Sequence, residues 1–266
     1  MRIAIIGFGN MGKTYANSFI SSGFIVASDI LILNRNKVEE KNSFGIDFAN
    51  FYTEPTPQIF ESDILILAVK PQDFKQLASE IKPFLNSGHV VLSVMAGISI
   101  EGMQNQLGVS KIVRSMPNIP TQIGEGMTVF CASSAVDRKE LFIVQNLINT
   151  TGKSIYIEKE EMLNAATAVS GSGPAYVFYF MQAMIESAVK LGFSTSEAEF
   201  LVNQTFSGSV QLQNRSKLST EVWIERVASK GGTTEAALNI FNTYELQKVI
   251  VKGIETANNR AIELGL

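Results

Sequence analysis

One cysteine, one histidine and one tryptophan stand among 266 residues. A single thiol, Cys131, forms no internal disulfide, and a single imidazole, His89, builds neither a metal site nor a Ser-His-Asp triad with a residue to spare. Metal-dependent and triad hydrolytic chemistry are therefore not expected, and no metal ligands are assigned. There is no basic run either: 22 Lys and Arg stand against 25 Asp and Glu, a net charge of −3. Without a cluster that could release counterions from a phosphate backbone, nucleic acid is not an expected partner. No apolar stretch approaches the roughly 18 to 20 residues of a membrane span. The opening run Met1 to Gly7 is too short for a signal h-region and lacks a small-residue cleavage site. A cytoplasmic protein that does not use a membrane is the expectation. Low-complexity linkers and internal repeats are also missing. What is present is 45% hydrophobic residues, enough to fill one large core or two ordinary ones.

The first half reads as a nucleotide-binding half. Arg2 to Ile6 is a short β-branched apolar run, followed at once by Gly7-Phe8-Gly9-Asn10-Met11-Gly12 and then by helical spacing through Ile20. In such a strand, turn and helix, Gly7 permits the tight turn, Gly9 lets the backbone approach a pyrophosphate, and Gly12 lets the helix pack closely on the strand. The helix N-terminus then offers its free N–H groups to phosphate. A second strand, Asp29 to Leu33, runs into Asn34-Arg35-Asn36-Lys37, where an NAD enzyme usually places an acid for the ribose 2′-hydroxyl. No acid stands there. A guanidinium pairs bidentately with phosphate oxygens, so Arg35, with Asn34 and Lys37 beside it, points to NADP(H) as the preferred cofactor, with NAD(H) still usable.

Three further strands end in small, proline or polar residues. Ser62 to Val69 runs into Lys70-Pro71, Val90 to Val94 into Ala96-Gly97, and Lys111 to Arg114 into Met116-Pro117-Asn118. Ligands of open α/β sheets lie outside the carboxyl ends of the strands, so these turns are expected to line the cofactor crevice. Lys70 either orients the nicotinamide ribose or an anionic substrate, or is a surface lysine ahead of a proline. His89, just before a strand, and Cys131, in an apolar run, are read as structural.

After a last strand near Ser154 to Ile157, the apolar residues recur at three and four from Glu160 to Leu266. An α/β Rossmann domain over residues 1–159 followed by an all-helical domain over 160–266 is the organisation this predicts. Ser170-Gly171-Ser172-Gly173-Pro174-Ala175-Tyr176 breaks one helix and starts the next, with Pro174 in its first turn. The following helix, from Tyr176, is apolar nearly all round and must be buried, in a core or between subunits. Ser229-Lys230-Gly231-Gly232-Thr233-Thr234 opens another helix. Its converging N–H groups and hydroxyls suit a carboxylate; an ordinary helix start capped by Thr233 is the alternative.

The glycine fingerprint, Ala68-Val69-Lys70-Pro71, Met116-Pro117-Asn118, Ser170 to Tyr176 and Ser229 to Thr234 together resemble the pyrroline-5-carboxylate reductases, in identity and in order, over nearly the whole chain. The resemblance implies a Rossmann domain and a helical dimerisation and substrate domain, assembled as a homo-oligomer: a dimer or a ring of dimers. It implies cofactor contacts from Ile6 to Met11 and from Ala68 to Pro71, beside Gly12, Ala96 and Gly97, which the fingerprint and the strand ends already assign to the cofactor. It also implies substrate contacts from Asn118, Ser172, Gly231, Gly232 and Thr233, with Thr234 near the ring nitrogen as the catalytic hydroxyl. Lys230 stands where many members have proline, and no acid stands near Lys217 where some place a glutamate, so no protein acid is assigned. The β-hydroxyacid dehydrogenases share the fingerprint at the level of fold, but the run Pro174 to Glu186 lacks their catalytic lysine. An NADPH-binding regulatory paralogue is the non-enzyme alternative.

Overall fold

The computed structural model describes residues 1–37 and 44–265. Its sheet is built around four short strands: β1 (Ile3–Ile6), β2 (Ile30–Leu33), β4 (Ile64–Leu67) and β5 (Val90–Ser93), every residue of which is buried. Continuous Ile, Leu and Val runs of this kind belong to parallel strands covered on both faces. The remaining strands are β3 (Phe51–Tyr52), β6 (Ile112–Met116), β7 (Gly126–Ala132) and β8 (Gly152–Tyr156), and the order is β3-β2-β1-β4-β5-β6-β7-β8. All neighbours are parallel except β6 and β7. Strand order reverses between β1 and β4, which is where an open sheet of this type leaves a crevice.

Alternation along the strands sorts the core into two layers. Ile3, Ile5, Ile30, Ile32, Ile64 and Ile66 face one side with Tyr15 and Phe19 of α1 (Asn10–Ser21) and Val144 and Leu147 of α4 (Arg138–Asn149). Ala4, Ile6, Leu31, Leu33, Leu65 and Leu67 face the other with Phe74, Ala78 and Ile81 of α2 (Phe74–Ile81) and Met103 and Leu107 of α3 (Ile100–Leu107). α4 begins with a capping box, Asp137 with Glu140, that satisfies two helix-start donors at once.

Beyond β8 every described element is helical: α5 (Met162–Ala166), one π turn (Thr167–Gly171), α6 (Gly173–Lys190), α7 (Thr195–Asn214), α8 (Thr220–Val227), α9 (Thr233–Thr243) and α10 (Leu246–Leu264). The chain forms two compact units, Met1–Ser172 with Ala257–Leu266, and Gly173–Thr256. In the second unit α6 and α7 pack on each other, Ala198 and Val202 of α7 are buried, and α6, α8 and α9 bury no residue at all. The apolar helix from Tyr176 thus does not sit in a core of its own unit; Phe178 and Tyr179 are 60% and 75% exposed.

Within the first unit one ion pair ties two elements to the turn ahead of α5. The Arg114 side chain, 11% exposed on β6, donates to Glu160 Oε1 at 2.7 Å. The same oxygen accepts the Ile100 N–H at the start of α3, at 2.8 Å. Removing the carboxylate leaves a covered guanidinium and a helix-start N–H without their acceptor. Glu160→Ala is expected to cost about 2 to 3 kcal/mol, measured as a lower urea midpoint at fixed protein concentration. The double variant Arg114→Met/Glu160→Gln should recover most of that loss.

Candidate functional site

The glycine turn is fixed by three different constraints. Gly7 lies at φ +97°, and a Cβ there would come within 2.7 Å of the Ala68 carbonyl oxygen. A Cβ on Gly12 would lie 2.0 Å from the Gly7 carbonyl oxygen, so only glycine lets α1 start this close to β1. A Cβ on Gly9 would meet nothing within 4 Å. Gly9 is therefore small toward open space rather than toward protein, as a turn that receives a ligand requires. Gly9 is also the N-cap of α1, with no side chain capping it, and the first helical bond runs from Lys13 N–H to the Gly9 carbonyl at 3.0 Å. The N–H groups of Asn10, Met11 and Gly12 have no intrahelical acceptor and stand at the positive end of the helix.

This turn opens into a cleft of about 750 Å³ at the carboxyl ends of β1, β2 and β4. Of the residues singled out for the cofactor, Ile6, Gly7, Gly9, Asn34, Arg35, Ala68, Val69 and Lys70 line it. The turn is tied in by bonds from Gly7 N–H to the Leu33 carbonyl and from Ala68 N–H to the Ile6 carbonyl, both 2.8 Å. Phe8 instead turns its ring into the core at 4% exposure, and its N–H donates to Asn34 Oδ1 at 2.9 Å. Met11 packs partly against the same core. Pro71 starts a 3-10 turn that leads into α2. Ala96 and Gly97 follow β5; Gly97 lies at φ +77°, where a Cβ would come 2.8 Å from the Leu264 carbonyl oxygen at the end of α10. Its smallness serves that approach.

Sequence reading missed two stretches of the cleft. Thr53, Glu54 and Pro55 follow β3, a strand of two residues that is too short to show alternation. Asp73, Gln76, Leu77 and Glu80 enter from the side of α2; their spacing of three and four was the available signal, since it places them on one helix face.

Asn118 acts as a brace in the first unit. Its Oδ1 accepts Met127 N–H at 2.9 Å, and its Nδ2 donates to the Ser170 carbonyl at 3.3 Å. Ser172 N–H closes the π turn on the Thr167 carbonyl at 2.8 Å. In the second unit, Gly231 lies at φ +74° and Gly232, not Thr233, is the N-cap of α9, again without a side-chain cap. Gly232 N–H donates to the Ser229 carbonyl at 2.9 Å and Gly231 N–H to Glu235 Oε2 at 2.7 Å. The first helical bond starts from Ala236 N–H, so Thr233, Thr234 and Glu235 present N–H groups without intrahelical acceptors.

The residues set aside are structural in form. His89 Nδ1 accepts Asn86 N–H at 2.9 Å, which leaves the proton on Nε2, 2.7 Å from the Phe60 carbonyl oxygen. Burial pushes the Cys131 thiol up to about 12, far from the thiolate that a nucleophile needs. Among the described residues no three His, Cys, Asp or Glu side chains are grouped to hold a metal ion, and no helix is long and apolar enough to cross a membrane.

Two family models match the chain: pyrroline-5-carboxylate reductase dimerisation over residues 160–264, and NADP oxidoreductase, coenzyme F420-dependent, over residues 2–97. A pyrroline-5-carboxylate reductase of Staphylococcus epidermidis is 30% identical over 266 residues, 99% of this chain and 98% of its own. The crystal structure of Plasmodium falciparum pyrroline carboxylate reductase with NADP bound superposes with a TM-score of 0.90 at 27% identity, covering 100% of this chain and 98% of that one. A pyrroline-5-carboxylate reductase from Coxiella burnetii gives 0.89 at 29% identity, covering 100% and 98%. With its Rossmann-type sheet, its helical second half and a likeness that runs from end to end, the chain is an oxidoreductase and belongs to the pyrroline-5-carboxylate reductase family.

Proposed function

We propose that this protein reduces 1-pyrroline-5-carboxylate to L-proline, the last step of proline biosynthesis, with NADPH as preferred reductant. The observation that carries the reading is the full-length likeness to the family. When bound, the dinucleotide supplies the hydride that reduces the C=N bond. The open N-terminus of α1 and the space beside Gly9 fit a pyrophosphate. Arg35, lining the same cleft, pairs with the 2′-phosphate, while Lys70 takes the ribose or an anionic group near it. Residues 1–159 are then the dinucleotide domain, and residues 160–266 the dimerisation and substrate domain.

Binding of the substrate carboxylate falls to the N–H groups of Thr233 and Thr234 at the start of α9. The carboxylate so held fixes the orientation of the ring and turns a bimolecular encounter into a positioned one. The Thr234 hydroxyl hydrogen-bonds the ring nitrogen as its charge disappears. A cyclic imine is basic enough to arrive partly protonated, so no protein acid is required. Asn118, braced to Met127 and Ser170, and Ser172 are further substrate contacts on this reading. The uncovered apolar faces of α6 and α7, with Phe178, Tyr179 and Phe200 exposed, fit the dimer that the matching family model is named for. A cytoplasmic location accords with a soluble cofactor and a small polar substrate.

The deciding assay follows NADPH oxidation by absorbance with pyrroline-5-carboxylate, beside NADH and beside a 3-hydroxy acid with NADP⁺. Rapid oxidation that depends on the imine is expected; NADPH binding without turnover would instead identify a regulatory paralogue. Arg35→Asp should move the NADPH to NADH ratio of kcat/KM toward NADH by roughly 10- to 100-fold, the worth of one charge-assisted pair, and an unmoved ratio removes Arg35 from the 2′-phosphate. Thr234→Ala should lower kcat by about 100-fold with NADPH affinity little changed. Loss of NADPH binding in that variant would mean that the loop has been misassigned.

A further inference from the structure

We propose that Asn34 is a positioning residue for cofactor discrimination, a single amide that locks the turn offering N–H groups to the pyrophosphate to the turn that carries Arg35. This rests on reading the cleft as a dinucleotide site. Asn34 was expected to touch the 2′-phosphate directly, but both ends of its side chain are engaged with protein. Oδ1 accepts Phe8 N–H at 2.9 Å, and Nδ2 donates to the Asn36 carbonyl at 2.7 Å. Its backbone N–H donates to the Tyr52 carbonyl at 2.9 Å, which joins the end of β3 to the same point. The position needs one donor and one acceptor on a short planar group, and asparagine supplies both.

The two turns differ in what else holds them. Phe8 is anchored: its buried ring meets Phe44 and Phe51 edge-on, at centroid distances of 6.3 and 5.6 Å. Arg35, Asn36 and Lys37 are exposed, and the amide of Asn34 passes the fixity of the core to them. NADPH places phosphate on both turns, whereas NADH has none for the Arg35 turn. A preset separation between the turns therefore lowers the ordering cost of binding NADPH more than that of NADH.

The test titrates NADPH and NADH, by nicotinamide fluorescence, against wild type, Asn34→Ala, Asn34→Ser and Arg35→Asp, with the melting midpoint of each. Asn34→Ala should weaken NADPH by about tenfold and NADH by about twofold or less, the loss of two neutral hydrogen bonds acting through geometry. Asn34→Ser, too short to span both partners, should show the same asymmetry and carries the test if the alanine variant melts too low to titrate. Equal weakening of both cofactors, or no change, overturns the proposal. If Arg35→Asp shifts the preference and the Asn34 variants do not, only the role of Asn34 falls. If Arg35→Asp leaves it unmoved as well, the 2′-phosphate reading fails and takes the proposal with it.

Discussion

The first unit depends on one close approach, Gly12 of α1 against the carbonyl of Gly7. The 2.0 Å that a Cβ would have to occupy there excludes every other residue, and the exclusion has consequences in both directions. Toward the core, it seats α1 so that Tyr15 and Phe19 reach the Ile3 and Ile5 face of the sheet. Toward solvent, it brings the uncapped start of the helix to the point where strand order reverses between β1 and β4. A capping side chain would satisfy one of those N–H groups and stabilise the helix by roughly a few tenths of a kcal/mol over glycine. Gly9 in that position leaves them for a ligand, so the local chemistry gives up helix stability where binding requires open donors.

How much of this the sequence discloses depends on how local each cause is. Strands β1, β2, β4 and β5 were legible because burial on both faces writes itself as unbroken Ile, Leu and Val runs. The glycine turn was legible because sterics dictate each of its residues. β3 left no periodic trace, since two residues cannot alternate, and Glu54 therefore went unseen at the cleft. The partners of Asn34, Asn118 and Glu160 were not legible for another reason. Each pairs across the fold, at separations of 26, 52 and 46 residues to Phe8, Ser170 and Arg114, and no spacing rule addresses contacts of that kind.

The helical half shows the complementary limit. Periodicity gave the helices, and the composition of α6 required that it be covered, but composition does not say by what. The second unit resolves part of this by exclusion: with no residue of α6, α8 or α9 buried, the described residues of that unit do not supply the cover. Apolar faces this extensive are characteristic of association surfaces, and the helices that bear them belong to the segment matched by the dimerisation model. Low self-burial of these helices accords with the homo-oligomer that the dimerisation model supports.

Charge in the cleft sharpens the case for geometry over bulk attraction. Glu54, Asp73 and Glu80 line it together with Arg35 and Lys70, so its formal balance is one negative charge. A polyanionic cofactor is not drawn into such a cleft by net field, and at physiological ionic strength screening beyond about 8 Å removes what little long-range field remains. On the proposed reading, affinity comes from contacts at hydrogen-bond distance, the N–H groups of α1 and the guanidinium of Arg35, each strong only when correctly placed. The three acids of the same lining penalise an anion that sits beside them. On the proposed reading of the cleft, recognition is then a matter of register, and the braces that set register weigh more than the number of positive charges in choosing between dinucleotides.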